Sequence, residues 1–111
     1  METMTWSIPE KDWKKLRSLK LVLLNQACES ILEKISTVME KRKGHEHETY
    51  LKIWDIMHKE DKAISMMFDD FKRSNAIYKL AHLRYHKVVS DEDFETFSEE
   101  TKHMVSVING E

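Results

Sequence analysis

Six histidines are the side chains here best suited to chemistry, and two of them, His82 and His86, stand four apart in a stretch without glycine or proline. On a helix that spacing puts both imidazoles on one face, where they can converge on one ion. Asp55-x-x-His58 and Glu100-x-x-His103 have the acid-to-histidine spacing used in di-iron bundles. His45-Glu46-His47-Glu48 makes a further grouping. A di-iron centre also needs two inward carboxylates from other helices, and no pair suits. His58 and His103 fall off the apolar seams and are expected to face water. The expectation is no metal and no cofactor, with His82 and His86 the only weak candidates.

Catalysis has less support still. Cys28, the single cysteine, sits on an apolar seam, where a cysteine is usually a small core residue and not a nucleophile. It has no partner for an internal disulfide, which fits a reducing compartment. Serines, histidines and aspartates are present, but no nucleophile-elbow context selects a triad. No glycine-rich loop could cradle a phosphate. No family signature is legible, and the expectation is that the protein is not an enzyme.

Charge gives one further candidate. Lys11, Lys14, Lys15, Arg17 and Lys20 should lie near Lys72, Arg73, Lys79, Arg84 and Lys87 in a helical hairpin, a possible phosphate-binding face. Asp91, Glu92, Asp93, Glu95, Glu99 and Glu100 are expected to dock at the same end and match it. With a net charge of −2, nucleic acid is not the expected partner.

The elements that must position these residues are helices. Two glycines and one proline leave too few turn-formers for a β protein, and Lys, Glu, Leu, Met and Ala favour helix. A chain of 111 residues is expected to form one domain, residues 1–111. No apolar run approaches the roughly 20 residues of a membrane span, and the first ten residues carry no signal-peptide core. A cytoplasmic location is the expectation.

Ser7-Ile8-Pro9-Glu10 reads as a capping box, and Lys41-Arg42-Lys43-Gly44 as a helix stop, so helix 1 is placed at about 8–43. Leu21, Leu24, Cys28, Ile31, Ile35 and Val38 form its seam. Between Leu19 and Cys28 the apolar positions surround the helix, which predicts burial on more than one side. Helix 2, at about 46–89, rests on a seven-residue ladder of Tyr50, Met57, Ile64, Phe71, Tyr78 and Tyr85. Ser90 caps helix 3, at about 91–108, with Phe94, Phe97, Met104 and Ile108 on its seam. Asp61, Asn75 and His82 interrupt the helix 2 stripe, either as half-wet edge positions or as a polar layer that sets register.

Folding at Gly44 and Ser90 makes a three-helix end and leaves residues 18–43 and 46–71 as a bare hairpin about 39 Å long. Two helices alone cannot hide such wide apolar faces. The expected solution is a homodimer with a four-helix core. Its interface is predicted to comprise Leu19, Val22, Leu23, Leu24, Ala27, Ile31, Trp54, Met57, Ile64, Met67 and Phe68. Another protein could supply the covering hairpin instead. A break in helix 2 near 59–62 or 69–70 would give a compact four-helix bundle. The functional expectation is a non-enzymatic interaction module, an adaptor or regulator, ahead of a metal- or small-ligand-binding bundle and a nucleic-acid-binding regulator.

Overall fold

A computed structural model describes residues 6–111. The chain is all-helical, with no strand among the described residues. It comprises α1 (Glu10–Glu40), α2 (Glu46–Phe68), α3 (Ala76–Tyr85), α4 (Asp91–Glu95) and α5 (Glu99–Ile108), with a 3₁₀ turn at Arg73–Asn75 before α3.

α1 starts directly after Pro9, whose extended backbone (ψ 146°) cannot belong to the helix. No side chain caps this end, so the capping box read at Ser7 is not made. Acidic Glu10 and Asp12 occupy the first turn instead, where the helix dipole favours them. At the far end the chain reverses through Lys41–His45. Gly44 takes φ +85° there, a region open to glycine at little cost. Its N–H donates to the Glu46 carboxylate at 3.0 Å, which holds that carboxyl below its usual range.

Helix 2 is not continuous to residue 89. It stops at Phe68, the second of the two break positions that the sequence offered. Asp69 is extended and Asp70 adopts φ +53°, which Asp tolerates better than most residues. Asn75 closes the turn from both sides: its amide donates to the Asp70 carbonyl (2.7 Å), and its carbonyl accepts from the Lys72 N–H (3.2 Å). Lys79 Nζ donates to the Met66 carbonyl at 2.7 Å, satisfying the open end of α2. Beyond the break the seven-residue ladder loses its meaning. Tyr78 and Tyr85 are exposed, while Ala76, Ile77, Leu80, Ala81 and Leu83 are buried.

α3 ends at Tyr85, four residues short of the expected boundary, with Lys87 at φ +60°. The Val88 N–H donates to the Leu83 carbonyl (2.9 Å) and the Lys87 N–H to the Arg84 carbonyl (3.1 Å). This is the two-bond pattern of a left-handed helix stop, with lysine where glycine is usual.

The expected third helix is also divided. Ser90 caps α4 by accepting from the Asp93 N–H, and Ser98 caps α5 by accepting from the Thr101 N–H. Asp12 of α1 fixes the second junction. Its carboxylate, 3% exposed, accepts from the Ser98 N–H at 3.3 Å and from the Ser98 and Thr101 hydroxyls at 2.5 Å each. At the chain's end, the Asn109 amide donates to the Ala81 carbonyl at 3.1 Å, tying α5 to α3.

The core lies where α3, α4 and α5 cover one end of the α1–α2 pair; we call this end the head. Leu16, Leu23 and Ala27 of α1 meet Met67 and Phe68 of α2, Ile77, Leu80 and Leu83 of α3, and Val105 of α5. Beyond the head the two long helices continue alone as an arm. The radius of gyration, 17.1 Å, exceeds the about 13 Å of a compact domain of this length. The longest dimension is 60 Å.

Candidate interaction face

The arm has two unlike sides, set by helical phase. Leu16, Leu23 and Ala27 of α1 point back toward the head and are buried. About half a turn away, at 100° per residue, lie Leu21, Asn25, Cys28, Leu32, Ile35 and Met39. Their spacing alternates four and three. On α2 the positions Tyr50, Trp54, Met57, Asp61, Ile64 and Phe68 repeat the same alternation. Such a rhythm is the seam of a helix that packs against another helix.

The chain reverses through residues 41–45, so the two seams run antiparallel. Their middle parts meet at one groove, with Cys28 and Leu32 from α1 and Tyr50, Trp54, Met57, Asp61 and Ile64 from α2. Along the arm the seams lie on one side, its front, while Phe68 at the end of α2 is buried in the head. They frame an apolar groove of about 620 Å³ lined by residues that include Cys28, Leu32, Trp54, Met57 and Asp61. Leu21 is 68% exposed, Trp54 59% and Met57 52%. The Trp54 indole stacks on His58 (centroids 5.0 Å apart, 19° between planes), which holds the ring at the groove's edge.

The predicted interface residues divide into three groups. Leu23, Ala27, Met67 and Phe68 are buried within the chain and have almost no surface left for a partner. The break at Asp69-Asp70 explains this, because it lets the head cover positions that a straight helix 2 would have left bare. Leu19, Leu24 and Ile64 are half-buried against the core, and Ile31 lines the groove floor. Val22, Trp54 and Met57 stay exposed. Leu21, Leu32, Met39 and Tyr50 are exposed on the same face and lie outside the predicted set. The signal that finds them is the alternation of four and three carried in parallel on both helices.

The chemical candidates stay dispersed. His82 and His86 stack side by side, with centroids 6.2 Å apart and planes 12° apart. Burial, followed by the charges of His86 and Lys79, holds the His82 imidazole below its ordinary range. No group of three or more potential metal ligands occurs among the described residues. Asp55 pairs with Lys59 at 3.0 Å and not with His58, and Glu100 and His103 lie exposed. At the tip His45 is 3.8 Å from Glu48, while Asn75 serves the α2–α3 turn. Asp61 lies exposed on the front of the arm and Cys28 is half-buried beside it.

The basic cluster is matched less by ion pairs than the sequence suggested. Arg84 pairs with Asp91 at 2.6 Å and lies over the Phe94 ring. Lys15 donates to the Thr96 carbonyl, and Arg73 donates to the Ile8 carbonyl. Arg17 and Lys20 lie over Trp13 and Phe71. These cations serve largely as caps and ring covers.

Comparison of the chain with protein-family models, curated proteins and solved structures finds no match. Among the described residues, no helix is long and apolar enough to cross a membrane.

Proposed function

We propose that this protein is a non-enzymatic helical interaction module, an adaptor or regulator, that works as a homodimer joined through the front of its arm. The observation that carries the reading is the pair of matched seams. A helix that needed only its neighbour in the hairpin would carry one apolar stripe. α1 and α2 each carry a second, at the spacing that receives further helices. Trp54, Met57, Tyr50 and Leu32 stand in water on one face, and a contiguous apolar patch of this kind marks a docking site.

Area supports the same reading. The accessible surface is 8051 Å², about a quarter above the roughly 6,400 Å² of a compact monomer of 13.3 kDa. That excess is ample for the about 800 Å² that each partner gives a stable interface. A second copy also carries the complementary surface by construction, as two-fold dimers require.

Light scattering tests the reading. A mass of about twice 13.3 kDa at micromolar concentration is the expected result. A mass of one chain at every concentration reached would refute self-association and leave a different protein as the arm's partner.

A further inference from the structure

We infer that the two copies pack front to front about a two-fold axis running along the arms, with each α1 lying on the partner's α2 and both tips at the same end. This rests on the homodimer reading. It adds the one arrangement of the two arms that suits the residues beside and within the seams.

A two-fold axis can relate two such arms in two ways. With the axis along the arms, level residues stay level. Glu29, which flanks the α1 seam on its outer side, then meets the partner's His58, which flanks the α2 seam. The acceptor faces an imidazole able to donate. With the axis across the arms at their middle, α1 lies on the partner's α1 and Glu29 faces the partner's Glu29. Like charges set directly opposite one another oppose association.

The polar rungs point the same way. Asn25 and the Cys28–Asp61 pair interrupt otherwise apolar seams. With the axis along the arms, the Asp61 of each α2 faces the partner's Cys28. With the axis across the arms, Asp61 lands on the partner's Met57. That buries a carboxylate against a side chain that cannot answer it. A polar residue in a seam fixes register at a cost in stability, and here the register it fixes is the level one. Lys14 and Arg17 follow Leu21 toward the head on the same face, so the contact ends where the apolar rungs end.

The tips decide between the arrangements. In the level arrangement Lys43 lies near the partner's Lys43. In the crossed one the tips stand about 45 Å apart at 1.5 Å per residue, and Lys43 lies near the partner's Lys14. Equal amounts of unlabelled and ¹⁵N-labelled protein would be mixed, treated with a short lysine-reactive cross-linker, digested and analysed by mass spectrometry. Isotopically mixed Lys43–Lys43 and Lys41–Lys43 peptides are expected, in a sample whose mass is that of a dimer. Mixed Lys43–Lys14 peptides, or a dimer lacking tip-to-tip links, would overturn this arrangement while leaving the homodimer intact. A sample of monomer mass without mixed peptides would overturn both.

Discussion

Replacing Trp54 with lysine is expected to separate the dimer into folded monomers. Trp54 is 59% exposed within one chain, so the change leaves no cavity and strands no buried polar partner. Ellipticity and the unfolding midpoint measured on dilute protein should be preserved. In the dimer the same ring would lie between helices near the centre of the bundle, where aromatic anchors contribute most. A lysine there removes the anchor and brings an unpaired ammonium into the interface. The dissociation constant should rise by about a hundredfold or more, equivalent to about 2.7 kcal/mol. Met66→Lys is the control: Met66 is similarly exposed but lies off the front face, and its change should leave association within about threefold. Equal dimerisation of both variants would remove the front of the arm from the interface.

Asp12→Ala should destabilise the single chain by loosening α5 from α1. The Asp12 carboxylate is buried and accepts from the Ser98 N–H and from two hydroxyls. Thr101 is fully buried, so its hydroxyl has no water to turn to. Removing the acceptor orphans the buried Thr101 hydroxyl and undoes the junction that starts α5, whereas the exposed Ser98 can turn to water. An orphaned buried donor costs about 1–3 kcal/mol, and the Ser98 hydroxyl, 3.3 Å from that of Thr101, would return part of that. A net loss of about 1–3 kcal/mol is expected in denaturant unfolding, compared with wild type at equal chain concentration because self-association would shift the midpoint. Hydrogen exchange should accelerate over residues 99–108 first, since α5 loses its anchor to α1, whereas the arm should change little. A loss below about 0.5 kcal/mol would show that α5 is held by its apolar contacts alone.

The junction at Asp12 also shows where the sequence stops speaking. Asp12 and Ser98 are 86 positions apart, and neither stands in a pattern that points to the other. Ser98 reads as an ordinary polar residue inside a helical stretch, and only the folded chain gives it a capping role. Ser90 was legible because its cap is local: a serine with three acids after it is a helix start by spacing alone.

The end of α2 was half legible. Asp69-Asp70 stands out as a weak point, yet the ladder Phe71, Tyr78, Tyr85 carries the seven-residue phase straight through it. That continuity is accidental, because Tyr78 and Tyr85 are exposed and α3 buries a different stripe. With neither glycine nor proline at the break, the reversal depends on Asp70 accepting a left-handed backbone and on Asn75 closing the loop. Neither contribution appears in hydrophobic periodicity.

The exposed stripe of the arm is blurred in the sequence for a related reason. α1 is apolar around most of its middle, and periodicity cannot say which of two adjacent stripes faces the rest of the chain. Leu23 and Ala27 belong to the head-facing stripe, and Leu21 and Leu32 to the front. Placing the head separates them, and placing the head requires the break after Phe68.

Oxidative footprinting with hydroxyl radicals, run on dilute and concentrated protein, is the most direct test of the arm as a self-association surface. Met39, Trp54 and Met57 report from the front of the arm, while Met66 and Tyr85 are exposed elsewhere. The account predicts that oxidation of the first three falls several-fold as the dimer forms, with Met66 and Tyr85 unchanged. Protection of Met66 and Tyr85 with the front residues still reactive, or no protection at a concentration where the mass is that of a dimer, would contradict it.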